Sequence, residues 1–295
     1  MVGVTAVRSR NGPISADLSA PPTGSDTDPM AIQLMFSMLL ASAAALRAPA
    51  LQAHSPHAVP LRSRAPVCSL ETLQAMEKKG EIRRGIGAGR DLPAPSGINT
   101  LPVPLQAAFV LGIFAAIGAG TFVLSGPVFD AVRGSFLWNL SRPTWPLLGL
   151  IYLAAGVAHF TEAEGFENIT PPNGAWGIYY TPFSPKANVL WTGVVEIFGG
   201  AWMLFGAGAA AAGVSLPVAL GPVVSDGALT LFLLTIIVTP ANLYALTHGA
   251  NFPLDLETPP KAHAVRLLFQ SVLLAMFWEM SQTTILDFKA NMGLM

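Results

Sequence analysis

Residues 231–249 read LFLLTIIVTPANLYALTHG. The first eight positions are apolar except for Thr235, and then Thr239, Pro240, Asn242 and His248 enter before the run ends. About 20 predominantly apolar residues are enough to cross a bilayer as a helix. Inside lipid, unpaired polar groups are costly, so side chains such as Asn242 need partners. The wider chain has the same character: of 295 residues, 52% are hydrophobic and only 11% charged, with a mean hydropathy of +0.52. Soluble domains of this length are far more charged. Apolar segments recur near 104–125, 144–160, 188–211, 227–248 and 264–281. The expected fold class is all-α, an integral membrane helical bundle. One transmembrane helix over 101–126 precedes a four-helix domain over 144–281, and 282–295 form a short tail.

Short links between the spans imply antiparallel neighbours. The end of the 144–160 segment, the start of 188–211, the end of 227–248 and the start of 264–281 then share one membrane face. Polar residues gather at those four places: His159, Glu196, Asn242, and Arg266 with Gln270. At 1.5 Å per residue, Glu196, Asn242 and Gln270 lie roughly 9–12 Å below that face. Helical spacing sharpens the pattern, because Thr235, Thr239 and Asn242 fall on one face, as do Gly193, Glu196 and Gly200. Arg266 and Gln270 form an i, i+4 pair. A carboxylate at this depth requires pairing or protonation, so Glu196 is expected to face Arg266, Gln270 or Asn242. Gly199 and Gly200 beside it let a neighbouring helix approach closely. Such a layer either binds something, with Glu196 as a proton relay, or locks the helices by interhelical hydrogen bonds.

The first hundred residues read as address and spacer. Residues 1–29 are rich in Ser, Pro, Gly, Thr and Asp without periodicity, a composition expected to be disordered. From Met30, MAIQLMFSMLLASAAALRAPA has the short apolar core and small residues of a secretory signal. The stretch up to Cys68 carries Arg47, Arg62 and Arg64 with no acidic residue, as transit peptides do. That order over 30–68 resembles the two-part leader of proteins sent to plastids in algae with secondary plastids, with Met30 as the start. The alternative is an Ala/Pro-rich tail with a chance apolar run. Residues 69–90 form a short basic amphipathic segment, in which a helix between Ser69 and Arg84, capped by Ser69, is expected, either solvated or lying on anionic lipid.

Several chemistries are excluded or poorly supplied. A net charge of −1 gives no footprint for nucleic acid. A lone cysteine, Cys68, rules out an internal disulfide or a CxxC redox pair. His159, His248 and His263 lie near one surface, but at helix ends or in a loop, where haem-ligating pairs are not expected. HFTEAE has no second ligand cluster, so no metal site is expected. Trp176, Tyr179 and Tyr180 read as an interfacial aromatic belt, or as a lid over the polar layer. Loop charges favour neither membrane orientation.

The runs GVAHFTEAEGFENITPP, LWTGVVEIFGGAWMLF, LFLLTIIVTPANLYAL and VRLLFQSVLLAMFWEM together resemble the DoxX family of small four-helix membrane proteins. The matching features, over residues 147–280, are His159-Phe160, Pro171-Pro172, Glu196 with Gly199 and Gly200, Pro240-Ala241-Asn242, and Arg266 with Gln270. The 104–125 span and the leader lie outside that pattern. SLPVALGPVVSDG stands where a short basic link is expected. The resemblance implies an accessory or quinone-interacting subunit of a membrane redox system. His159, Asn242, Arg266 and Gln270 would contact the ligand and Glu196 would relay a proton. A quinone would be the only cofactor, and a redox enzyme in the membrane the partner, because this chain holds no electron carrier of its own. The alternatives are a structural or assembly protein, and a small-solute or proton carrier. No inverted repeat supports the carrier.

Overall fold

The computed structural model describes residues 69–217, 220–250 and 260–294. The expected signal and transit segments lie outside the described residues, and so does the 251–259 link. Among the described residues all regular structure is helical.

Helix α1 covers Leu70–Lys78, where Ser69 Oγ accepts from the Thr72 amide at 3.3 Å. Helix α2, Val103–Val123, continues through a π-helical turn at Leu124–Val128 into a last turn at Phe129–Val132. Pro127 sits in that turn, and its missing N–H accounts for the local change of hydrogen-bond register. Helix α3, Phe136–Ser141, leads through a 3₁₀ stretch at Arg142–Leu147 into α4, Leu148–Thr161. After the short α5, Ala163–Ile169, come α6, Pro185–Ala211, and α7, Val223–His248. Helices α8, Pro260–Met280, and α9, Gln282–Asn291, complete the described chain.

In the bundle α4 packs on α6, α6 on α7, α7 on α8 and α8 on α2. An edge contact between Tyr152 and Phe277, with ring centroids 5.3 Å apart, joins α4 to α8. Met203, Leu231, Leu234 and Phe277 are buried in the main core. Ile151, Val194, Phe198 and Ile237 are exposed on the outside, as expected of side chains that face lipid.

Glycine sets the closest approaches. A Cβ on Gly200 would lie 2.5 Å from the Gly149 carbonyl oxygen, and one on Gly156 would lie 2.8 Å from the Gly193 carbonyl oxygen. These four glycines form a seam between α4 and α6 that no larger residue could make. A second seam joins α6 to α7, where a Cβ on Gly206 would lie 2.7 Å from Val224 and one on Gly227 would lie 2.9 Å from the Gly199 carbonyl oxygen.

Five spans were expected, and among the described residues 4 helical stretches are long and apolar enough to cross a membrane: Val103–Val132, Phe136–Thr161, Pro185–Ala211 and Val223–His248. Helix α8 forms, but His263, Arg266, Gln270 and Glu279 dilute its apolar character. Residues 84–101, read from the sequence as spacer, pack onto the bundle. Leu92 is fully buried, and the Tyr244 hydroxyl of α7 donates to the Gly85 carbonyl at 2.6 Å. Arg84 Nη2 donates to Glu77 Oε2 at 2.8 Å, and Nη1 donates to the Pro93 carbonyl. The Asn99 side chain accepts from the Ala94 amide and donates to the Leu92 carbonyl, both at 2.8 Å. At the opposite end of the bundle Arg133 makes two hydrogen bonds to Glu279, at 2.8 and 3.3 Å. That carboxylate raises the arginine pKa further above its ordinary value.

Candidate functional site

The glycine seam between α4 and α6 determines the partner of Glu196. A Cβ on Gly193 would lie 2.6 Å from His159 Cβ, so the absence of a side chain there lets His159 settle against α6. His159 Nδ1 then lies 3.2 Å from Glu196 Oε2 and 2.9 Å from the Ala155 carbonyl oxygen. Both residues are only 6% exposed. A carbonyl oxygen can only accept, so Nδ1 carries a hydrogen aimed chiefly at Ala155. Glu196 Oε2 is buried without a well-aligned donor. The positions open to a proton on the pair are therefore His159 Nε2 and the Glu196 carboxylate, whose Oε2 accepts from no donor. Phe166 of α5 stacks on the imidazole, with centroids 3.8 Å apart and an interplanar angle of 25°.

A second polar group joins α4, α7 and α8. The Thr235 hydroxyl donates to the Leu231 carbonyl at 2.7 Å, which uses its single proton. At 2.7 Å the Tyr152 hydroxyl is therefore the donor to Thr235 Oγ1. Gln270 Nε2 donates to the Thr235 carbonyl at 3.2 Å and to the Thr239 hydroxyl. Gln270 Oε1 accepts from Asn242 Nδ2 at 3.4 Å.

The expected layer is thus split into two clusters. His159 meets Glu196, and Asn242 meets Gln270, but these residues do not form one cluster around the carboxylate. Arg266 is exposed in the same stretch as Val265, Leu268 and Phe269, whereas Gln270 is 4% exposed. An i, i+4 pair is offset by about 40° around the helix, which here places Gln270 against α7 and leaves Arg266 outside. Glu196 facing Arg266, Gln270 or Asn242 is replaced by Glu196 facing His159.

Sequence reasoning missed Tyr152, although it stands one heptad before His159 on α4. The aromatic belt is also more specific than expected. Trp176 is 3% exposed, has a φ of 52°, and donates from Nε1 to the Thr247 hydroxyl at 2.9 Å. Tyr180 does lie outside, at 58% exposure. Tyr179 lies in the loop beside Trp176, and burial raises its phenol pKa above the ordinary value.

A quinone headgroup needs hydrogen-bond donors for its carbonyls. Both Gln270 amide hydrogens and one of the two on Asn242 are already given within the bundle, and Arg266 is exposed. A quinone seated in the layer would have to displace bonds of this network. The unsatisfied capacity lies at Glu196, beside a histidine, in a chain with 4 apolar helices able to cross a membrane. No protein-family model, curated protein or solved structure matches this chain.

Proposed function

We propose that the chain is a DoxX-like multi-pass membrane protein acting as an accessory subunit of a membrane redox system, in which the Glu196–His159 pair takes up and releases a proton. One observation carries this reading: a carboxylate in the middle of α6 and an imidazole near the end of α4, both 6% exposed, stand 3.2 Å apart. Burying an acid at this depth costs several kcal/mol, and a paired base allows it to be held there while its protonation still changes. In this reading the electron carrier and any quinone chemistry belong to the partner enzyme. Purification from native membranes in mild detergent, with mass spectrometry of co-purifying proteins and lipids, is expected to yield a redox enzyme in fixed stoichiometry. Glu196→Gln is expected to lower that enzyme's turnover without loss of the complex. Recovery of bulk lipid alone, or unchanged turnover in Glu196→Gln, would overturn the proposal.

A second reading, a structural or assembly protein, is favoured by the Tyr152–Thr235–Gln270–Asn242 network, whose amide groups satisfy one another. It expects Asn242→Ala to lower abundance and Glu196→Leu to be tolerated.

A further inference from the structure

The two most exposed large apolar side chains among the described residues are neighbours on α3: Phe136 at 78% and Leu137 at 73%. Leu140 is exposed as well, and by helical spacing the three fall within one arc of about 100°. Between residues 131 and 141 only Trp138 is not exposed, and the same spacing puts it on the side away from that arc. A helix of 6 residues does not hold itself together. Trp138 anchors it, with its ring centroid 5.4 Å from that of Phe129 and 5.3 Å from that of Trp145. Three large apolar side chains are costly to leave in water, so α3 needs an apolar neighbour outside the bundle.

The charges around it show what that neighbour is. Arg133 lies over the Trp138 ring, 5.1 Å from its centroid, and Arg142 lies over Trp145 at 5.0 Å. Arg133 holds both carboxylates at this end of the bundle, Glu279 at 2.8 Å and Asp130 at 3.5 Å. Four charged groups are too costly for the hydrocarbon, so they mark a membrane face. Tryptophans gather at that level in membrane proteins. Helix α3, joined to Trp145 through Trp138, therefore lies at the interface, where an apolar arc can enter the acyl boundary. Arg142 differs from Arg133 in its partners. Among the described residues no carboxylate forms an ion pair with it, and Glu279 acts on it only through space. It is partly exposed. Stacking on a ring orients a guanidinium but uses none of the N–H groups that a phosphate accepts from.

We propose that α3 and Arg142 form a binding site for an anionic phospholipid. The Arg142 guanidinium takes the phosphate, and Phe136, Leu137 and Leu140 lie among the upper parts of the acyl chains. The site is independent of the Glu196–His159 pair, because His159 closes α4 whereas Arg142 precedes its start. Burial of the arc against a second protein chain is the competing arrangement, and the test separates the two.

The purified full chain is equilibrated in micelles holding equal amounts of phosphatidylglycerol and phosphatidylcholine, and bound lipid is counted by native mass spectrometry. Wild type is expected to retain phosphatidylglycerol about fivefold over phosphatidylcholine, the effect of one basic residue at an anionic surface. Arg142→Gln is expected to abolish most of that preference. Lys186→Gln removes an exposed cation at the start of α6, at the opposite end of the bundle, and is expected to leave the preference unchanged. Depth is read separately, so that a misfolded Arg142 variant does not leave the matter open. Cys68→Ser removes the only cysteine, and a nitroxide is attached through Leu137→Cys. In vesicles of the same two lipids it is expected to collide more with oxygen than with a nickel chelate. No preference in wild type, an unchanged ratio in folded Arg142→Gln, or an equal loss in Lys186→Gln would overturn the phosphate site. A nitroxide reached chiefly by the chelate would place α3 in water, and one reached by neither reagent would place it under protein; either result overturns the lipid site.

Discussion

Glu196 shows how little depth alone determines. Counting residues from the helix ends places it in the same layer as Asn242 and Gln270, and the structure keeps Asn242 and Gln270 together. Depth carries no information on azimuth, however, and azimuth selects His159 as the partner of Glu196. The missing signal was present in Gly149 and Gly156 of α4, which match Gly200 and Gly193 of α6 and fix which faces meet. Arg266 shows the converse, because it stands only about 40° of azimuth from the buried Gln270 and yet is exposed, in the same stretch as Val265, Leu268 and Phe269. The pair makes an asymmetric prediction. His159→Leu strands a buried carboxylate, an error that costs roughly 3 kcal/mol in measured cases. Glu196→Leu removes that charge and leaves the His159 bond to Ala155 intact, so it should stay within about 1 kcal/mol of wild type. Reversible unfolding in mixed micelles measures both, and equal losses would show that His159 does not support Glu196.

At the scale of elements, the helices follow from their apolar runs and end signals, whereas their contacts follow from the glycines. Ser184 accepts from the Ala187 amide and Pro185 occupies the first turn of α6, a start legible in the sequence. The 3.6-residue period says little about which face of α6 is inward, because apolar residues surround the helix and both core and lipid accept them. Small residues discriminate, since only they permit backbone contact. Gly200→Val should separate α4 from α6 and sharply reduce the folded fraction, because its Cβ would lie 2.5 Å from a backbone oxygen that cannot move aside. Gly208→Val is the control, as no atom lies within 4 Å of a Cβ at that position. Detergent-resistant monodispersity by size-exclusion chromatography reads both, and similar behaviour of the two variants would contradict the seam. Helix α8 depends on a different device. Gln270→Leu removes donors to the Thr235 carbonyl and the Thr239 hydroxyl and leaves Asn242 Nδ2 without its acceptor. Interhelical bonds of this kind are worth about 1 kcal/mol each, so the loss of these three is expected to cost about 3 kcal/mol in the same unfolding assay.

For the whole molecule, composition was enough to indicate a helical membrane protein, and the apolar runs located the 4 candidate spans. It could not show that the body extends before the first span. Residues 84–101 look like spacer because they lack periodicity and contain Gly85, Gly87, Gly89, Pro93, Pro95 and Gly97. Those residues allow the chain to turn tightly enough to cover the end of α7. A Cβ on Gly85 would lie 2.7 Å from Ala250 Cβ, and one on Gly89 would meet the Arg83 carbonyl oxygen. Local links from Gln106 to the Asn99 and Leu101 carbonyls hold the C-terminal end of the segment, but the bond from Tyr244 to Gly85 joins residues far apart in sequence, which no local pattern reveals. Tyr244→Phe deletes the hydroxyl while keeping the buried ring, so it should loosen the strap and leave the bundle standing. The loss is about 1–2 kcal/mol for one buried bond whose carbonyl partner at Gly85 is left unpaired. The expected readout is faster hydrogen exchange and easier proteolytic cleavage within 80–101, with unchanged protection in α6 and α7. Protection lost throughout the bundle would mean that the strap is part of its cooperative unit. No change anywhere would mean that the buried apolar contacts around Leu92 hold it without the hydroxyl.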